Sequence, residues 1–243
     1  MAIASASLAY RRSALMTATK VTSKPPSEQV LAARDNFIAF CTAMGKPPAK
    51  HMLEWHNELC TSNDSECLIG IGGANTSILA PRGSAKSTVL GLFAAWMIGR
   101  HAAAKKMLRI LYIAYMVDIS RAKSATIKGI LNSAKYREIF PMVRLSKIKR
   151  SDEYWSIDYE FAGIDTAGEE AFTIACGGLK GAITSKRSQL VLIDDPIKSA
   201  ASINNPDIRR EMEQTWSNVI APTMFQGARA ICLGTRFHFD DIH

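Results

Sequence analysis

Short apolar runs alternate along the chain with segments in which apolar residues recur at helical spacing. A continuous apolar run that ends in polar residues is typical of a strand buried on both faces of a parallel sheet. Such runs occupy residues 76–80, 108–115, 189–194 and 228–233. Helical spacing predicts helices over residues 28–41, 52–59, 89–99, 119–134 and 207–219. The alternation predicts an α/β fold with a mostly parallel central sheet and helices on both faces.

Three other segments fit this alternation less directly. Residues 153–161 and 171–176 alternate enough between apolar and polar positions to predict two more strands, the first of them in a hairpin. We expect residues 177–181 to form a mobile, cationic loop before the run at 189–194. Two interpretations stay open for the basic cluster at residues 144–150, which is either a solvated loop or a contact with phosphates.

The segment ILAPRGSAKST, at residues 78–88, joins a predicted strand to a predicted helix through small residues. Small residues let backbone N–H groups point at phosphate oxygens, and a helix N-terminus adds partial positive charge. Lys86 can then reach the β- and γ-phosphates of a nucleotide, and the Ser87 hydroxyl can hold Mg²⁺. The predicted nucleotide-binding residues are Pro81, Arg82, Gly83, Ser84, Ala85, Lys86, Ser87 and Thr88.

Two alanines in this segment depart from the usual phosphate-loop pattern, G-x-x-x-x-G-K-[ST]. Ala80 and Ala85 stand where that pattern has glycine, whereas Gly83 keeps one permissive residue inside the loop. If either alanine requires a positive φ, it costs roughly 1–2 kcal/mol. An ordinary strand–turn–helix and a loop that no longer hydrolyses ATP therefore stay open as alternatives.

A pair of carboxylates, Asp194 and Asp195, ends the apolar run at 189–194. Open α/β sheets bind ligands at the carboxyl ends of their strands. We predict that Asp194 holds Mg²⁺, through the water shell of the metal or on the γ-phosphate side. We predict that Asp195 orients and polarises an attacking water. A simple Asp-Pro turn is the alternative, but a phosphate loop followed by such a strand favours an ATPase. Thr235 follows the last apolar run, so three strand ends are expected to meet at one edge of the sheet.

Composition narrows the range of partners. The formal net charge of +8 and the isoelectric point of about 9.3 favour a polyanionic partner, nucleic acid first and an acidic membrane surface second.

The longest apolar run, residues 89–99, is too short to span a bilayer. Five cysteines without a C-x-x-C motif are typical of reduced thiols in a cytosolic protein. The spacing of His51 and His56 places them on different helix faces, so no zinc site is expected.

Residues 1–27 are basic and contain no acidic residue. This composition is typical of an organelle transit peptide or of a flexible basic tail that contacts nucleic acid or a partner. We favour the tail, and we assign residues 28–243 to one catalytic domain.

Three segments together resemble the N-terminal ATPase domain of the large terminase subunit of tailed bacteriophages, the motor that pumps double-stranded DNA into a procapsid. They are residues 80–87, residues 192–196 and LGTRFHFDD at residues 233–241, of which the last is the most specific. The resemblance covers about residues 28–243. It implies a three-layer, RecA-like P-loop NTPase fold with an extra strand between the two nucleotide motifs. Asp195 departs from this branch of ATPases, in which glutamate is common.

The resemblance also implies roles for individual residues. Arg82 would be an arginine finger that acts in cis on the γ-phosphate, where such a charge is worth about 10³–10⁵ in rate. The alternative is a finger from a neighbouring subunit, with Arg121 or Arg187 as candidates. Thr235 would sense the γ-phosphate and relay hydrolysis to DNA movement.

The cofactors and partners implied by the resemblance are ATP, Mg²⁺, double-stranded DNA, the portal of the procapsid and the small terminase subunit. The protein would form a homo-oligomeric ring when assembled, or a monomer as an isolated domain. It would act in the host cytoplasm, would not be part of the mature virion and would have no membrane partner. Large terminase subunits also carry a C-terminal nuclease domain. Because this sequence ends at His243, we expect an excised ATPase domain without nuclease activity. The alternatives are a helicase-like P-loop ATPase and a non-hydrolysing module that binds DNA or a partner.

Overall fold

The computed structural model of the chain describes residues 26–60, 75–179, 186–197, 199 and 204–235. In these ranges seven strands form one sheet: β1 (Thr76–Leu79), β2 (Ile110–Ala114), β3 (Leu145–Arg150), β4 (Tyr154–Ile157), β5 (Ile174–Gly178), β6 (Ser188–Asp194) and β7 (Met224–Gly234). Their order across the sheet is β1-β7-β6-β2-β5-β4-β3. The first five strands in that order are parallel, and β4 and β3 continue the sheet as an antiparallel hairpin. The predicted α/β fold with a mostly parallel sheet is confirmed.

The helices of the described ranges are α1 (Glu28–Asp35), α2 (Phe37–Ala43), α3 (Leu53–Leu59), α4 (Lys86–Ala103), α5 (Val117–Asn132), α6 (Ala134–Ile139) and α7 (Pro206–Thr215). Short 3₁₀ turns cover Lys50–Met52 and Ala221–Thr223, and a π-helical turn covers Trp216–Ile220. The single helix predicted over residues 28–41 is two helices. Asn36 between them has an extended backbone, and its Oδ1 accepts a hydrogen bond from Ala39 N at 2.9 Å, which starts α2.

Helices cover both faces of the sheet, which gives the molecule two apolar cores. On one face α4 is buried along most of its length, and Phe93 and Trp96 in this helix pack against Phe37 of α2. On the other face, Leu111 of β2 lies in a core with Met212 of α7. The central strands are therefore buried on both faces, which explains why they are continuous apolar runs in the sequence.

The strand order brings three strand ends to one edge of the sheet. β7 lies between β1 and β6, and all three strands are parallel. The small-residue loop (residues 80–85), Asp195 and Thr235 follow these strands directly, so they converge as the sequence predicts. We call this side of the sheet the carboxyl edge, and the side where the parallel strands begin the amino edge.

One of the two interpretations of the basic cluster was wrong, and so was the first part of the loop predicted over residues 177–181. Residues 145–150 form the outermost strand β3 and are not a solvated loop. The basic side chains of this strand protect its unpaired backbone from pairing with strands of other molecules. Gly177 and Gly178 belong to the buried strand β5 and not to a loop. Glycine is needed at 178 because a Cβ there would lie 2.5 Å from the backbone nitrogen of Val117.

Other predictions fall on residues that the structure does not describe. They are the basic tail at residues 1–25, the rest of the loop at 180–181, and Arg236 with the remainder of the segment to residue 241. A membrane-spanning helix, which needs about 20 apolar residues, is absent from the described ranges.

Candidate functional site

The small-residue loop is held at its start by the sheet and at its end by helix α4. Ala80 N donates a hydrogen bond to Gly234 O of β7 at 2.9 Å. Within the loop, the Ser84 hydroxyl donates to Pro81 O at 2.7 Å. Gly83 has a φ of 80° and open space around its Cα, so glycine serves backbone conformation there and not close packing. The loop is thus a fixed turn that delivers the chain into α4.

Only one of the two loop alanines adopts a strained backbone. Ala85 has a φ of 58° and a ψ of 20°, in the left-handed region, whereas Ala80 does not have a positive φ. Ala85 caps α4, and its carbonyl accepts hydrogen bonds from Thr88 N and Val89 N. An alanine in this conformation costs about 1–2 kcal/mol. The position therefore has the geometry that glycine satisfies in the usual pattern.

A hydrogen bond joins the start of α4 to the end of β6. Ser87 Oγ donates to Asp194 Oδ1 at 2.8 Å, although the two residues are 107 positions apart in sequence. The second carboxylate oxygen, Oδ2, accepts a hydrogen bond from the Tyr112 hydroxyl at 3.0 Å. Asp194 is only 2% exposed. Burial raises the pKa of Asp194 above its ordinary value, and the hydrogen bonds from Ser87 and Tyr112 oppose that shift.

An ion pair lies beside this hydrogen bond. Lys86 Nζ is 3.2 Å from Asp195 Oδ2; the lysine side chain is 5% exposed and the aspartate side chain 43%. Asp195 has a φ of 46°, which is rare for a residue other than glycine, and its N–H donates to Leu233 O of β7 at 2.8 Å. Of the three non-glycine residues with positive φ in the described ranges, Ala85 and Asp195 lie at this edge. Such strain is concentrated at functional sites in known proteins.

A cavity of about 450 Å³ opens over the loop and the ion pair, which is within the usual size range of ligand sites. The loop side contributes Arg82, Gly83, Ala85, Lys86, Ser87 and Thr88, and the far side contributes Tyr115, Ile119, Asp195 and Ile197. Thr235 lies behind the loop, where its hydroxyl donates to Ala80 O at 3.2 Å. A second cavity of about 440 Å³ lies between β1, β7 and α7, and none of the predicted site residues line it.

The two candidate trans arginine fingers lie in different places. Arg121 is on α5, where it forms ion pairs with Asp118 and Glu153. Arg187 directly precedes β6, and its guanidinium lies 5.5 Å from the centre of the Phe225 ring. A seven-residue strand separates Arg187 from the end of β6, a length of about 23 Å. Arg187 is therefore at the amino edge, away from the site of its own chain.

Sequence reasoning missed Tyr112, which contacts Asp194 from the neighbouring strand. The residue sits in an apolar run, which predicts a buried strand and gives its hydroxyl no role. The one indication in the sequence is a phenol inside a strand with no other polar side chain, because a buried phenol requires a hydrogen-bond partner.

No protein-family model matches the chain, and no curated protein matches its sequence.

Proposed function

We propose that the chain is a Mg²⁺-dependent ATPase of the RecA-like P-loop class, and that hydrolysis powers translocation of double-stranded viral DNA into a procapsid. The observation that carries the proposal is the hydrogen bond from Ser87 to Asp194. It connects a hydroxyl after a lysine at a helix start with a carboxylate at the end of a buried strand. A magnesium–nucleotide site needs these two groups side by side.

The loop supports phosphate binding. Helix α4 begins at Lys86, and its first residues line the cavity. The partial positive charge of a helix N-terminus and its backbone N–H groups favour phosphate there. Lys86 adds a full positive charge that a phosphate can share with, or take over from, Asp195.

The residues of the site fit a magnesium ion. Mg²⁺ prefers oxygen ligands and is usually held by one or two protein groups together with substrate phosphates and water. Ser87 donates its hydrogen to Asp194, which leaves the lone pairs of its oxygen for a cation. When bound, Mg²⁺ neutralises charge on the phosphate oxygens.

The remaining residues have separate tasks in hydrolysis. Lys86 would leave Asp195 for the phosphates, and the released carboxylate would orient and polarise a water. Arg82 lines the cavity and would stabilise negative charge on the γ-phosphate. The hydrogen bond from Thr235 to Ala80 ties the end of β7 to the start of the loop, which suits a residue that relays the phosphate state.

Two observations support the RecA-like motor. β7 lies between the strand that precedes the loop and the strand that ends in the carboxylates, as the resemblance to large terminase subunits implies. The net charge of +8 suits a polyanionic partner such as DNA. The procapsid portal, the small terminase subunit, the oligomeric ring and the host cytoplasm follow from the same resemblance.

The test is ATP hydrolysis by the natural chain and by Lys86→Ala and Asp195→Asn, with and without double-stranded DNA. Both variants are expected to lose about 10²–10³ in rate or more, the usual effect of removing a charge-stabilising group. Lys86→Ala should also weaken nucleotide binding, whereas Asp195→Asn should retain it. Lys106→Ala, an exposed lysine on the same chain, is the matched control.

Three outcomes discriminate between the alternatives. Turnover that is unchanged by Lys86→Ala would exclude an ATPase at this site. Nucleotide binding without turnover, in an assembled ring as well as in the isolated chain, would indicate the non-hydrolysing module. Stimulation by single-stranded but not by double-stranded DNA would indicate a helicase-like enzyme.

A further inference from the structure

Tyr112 reaches the proposed metal site from the interior of the sheet. It lies in the middle of β2, pairs with Leu192 of β6 and is 0% exposed. Asp194 pairs with Ala114, two residues further along β2, so Tyr112 and Asp194 point to the same face. A diagonal neighbour at this offset is within reach of an aromatic side chain, and the hydroxyl donates to Asp194 Oδ2 at 3.0 Å.

The surroundings of Tyr112 would suit phenylalanine equally well, apart from this one contact. The residue lies in the larger apolar core, with Ile110 and Leu192 as members of the same cluster. A buried hydroxyl is unfavourable unless it has a hydrogen-bond partner. Tyr136, which is also 0% exposed, bonds instead to the backbone carbonyl Ala95 O at 2.8 Å. Tyr112 thus differs from Tyr136 in donating to a carboxylate.

The two donors together hold both oxygens of Asp194. Ser87 bonds Oδ1 and Tyr112 bonds Oδ2, so rotation of the carboxylate would break one of these bonds. A fixed carboxylate in turn keeps the hydrogen of Ser87 directed at Asp194 and leaves the serine oxygen for a cation.

We propose that Tyr112 is a positioning residue for metal binding, which acts through Asp194 and touches neither the metal nor the nucleotide. This inference rests on the proposed function. Hydrogen-bond partners of metal ligands set ligand orientation, and their loss typically costs 10–100-fold in metal affinity or activity. Tyr112→Phe should therefore weaken Mn²⁺ or Mg²⁺ binding in the nucleotide complex by at least about 10-fold. Nucleotide binding in EDTA should not change, because Lys86 and the loop keep their contacts.

The experiment measures Mn²⁺ affinity by electron paramagnetic resonance, with a non-hydrolysable ATP analogue bound to the full chain. The Mg²⁺ concentration that gives half-maximal ATPase rate is measured in parallel. Asp194→Ala shows that the metal detected is at this site. Tyr136→Phe is the matched control, because it removes one hydroxyl from an equally buried tyrosine. A chain with 4-aminophenylalanine at position 112 keeps the ring and an N–H donor, and it should restore metal affinity.

The outcomes separate this inference from the proposed function. Weaker metal binding in Tyr112→Phe, with Tyr136→Phe like the natural chain and rescue by the amino analogue, is the expected result. Equal metal affinity in Tyr112→Phe and the natural chain, or equal losses in both phenylalanine variants, would overturn the inference while the ATPase proposal stands. A natural chain that binds no metal–nucleotide complex would overturn both. If Tyr112→Phe does not fold, a chain with 4-fluorophenylalanine at position 112 replaces it, because this residue has a substituent at the place of the hydroxyl but cannot donate a hydrogen. Equal metal affinity in the fluoro and amino analogues would then overturn the inference.

Discussion

Charged side chains are buried at both edges of the sheet, but their partners differ. Towards the amino edge, Arg229 of β7 is 1% exposed and donates to Glu58 O at 2.9 Å, Leu59 O at 3.2 Å and Thr76 Oγ1 at 2.6 Å. The two carbonyls end α3, where a positive charge is favoured by the helix dipole. At the carboxyl edge, Lys86 pairs with the side chain of Asp195, which is partly exposed and borders a cavity.

This difference separates a structural charge from one available for binding. Two of the described partners of Arg229 are backbone carbonyls at the end of α3, so the arginine ties that helix to the sheet. Asp195 can rotate towards solvent, so a ligand can take its place beside Lys86. Two of the three non-glycine residues with positive φ in the described ranges, Ala85 and Asp195, lie at the carboxyl edge; the third, Lys105, lies between α4 and β2.

The largest expected effect comes from removing one cation at each edge. Arg229→Met removes the donor from three acceptors, of which Leu59 O is buried and the other two are partly buried. Hydrogen bonds to charged groups contribute about 1.5–3 kcal/mol each in favourable cases. We expect a loss of about 3 kcal/mol, or about 6–12 °C in the unfolding midpoint. Lys86→Met should cost less than about 1 kcal/mol, because its partner is exposed enough to be solvated. Urea and thermal unfolding of the two variants measure both values.

The effects of the two variants on the rate of ATP hydrolysis should be in the reverse order. Folded Arg229→Met protein should retain its ATPase rate, whereas Lys86→Met should lose it. Equal stability losses in the two variants would show that the edges do not differ in the way described.

A second prediction concerns how much the buried carboxylate of Asp194 lowers the free energy of unfolding when no metal is present. Burial raises the pKa of Asp194, so the folded chain favours the protonated acid more than the unfolded chain does. The stability that Asp194 contributes in its protonated form is therefore fully present below the ordinary aspartate pKa of about 4. That contribution is lost as the pH rises through the higher pKa of the folded state. Asp194→Asn removes the charge, and it should be more stable than the natural chain at pH 8 in EDTA.

The pH dependence tests whether the charge of Asp194 causes this difference in stability. The advantage of Asp194→Asn should shrink at pH 4, where the natural carboxyl is closer to neutral. Thermal unfolding at the two pH values measures it. An advantage of equal size at both values would show that the charge of Asp194 is not what limits stability at the carboxyl edge.

Local patterns in the sequence predicted the central strands, the small-residue loop and the two carboxylates, because each depends on residues adjacent in the chain. The features that were missed depend on which strands are neighbours. Tyr112 and Arg229 both lie in predicted apolar segments, and their roles become visible only when β6 lies beside β2 and β1 beside β7. The position of β7 between β1 and β6 is also long-range, and it was expected from the resemblance and not from local patterns.

The two loop alanines give the smallest and most local test. Both stand where the usual phosphate-loop pattern has glycine, and the sequence did not show which of them is strained. Ala85→Gly removes the left-handed strain, and we expect a gain in stability of up to about 1 kcal/mol. Ala80→Gly removes a buried methyl group from an unstrained position, so we expect a loss of about 1 kcal/mol.

These opposite signs distinguish backbone strain from a general effect of glycine in the loop. Each change corresponds to about 2–4 °C in the unfolding midpoint, which calorimetry resolves. The ATPase rate of Ala85→Gly should equal that of the natural chain, because the turn into α4 is already formed with alanine. If both variants lost stability, the positive φ of Ala85 would not be the conformation of the loop in solution, and Asp195 would be the one strained non-glycine residue described at the carboxyl edge.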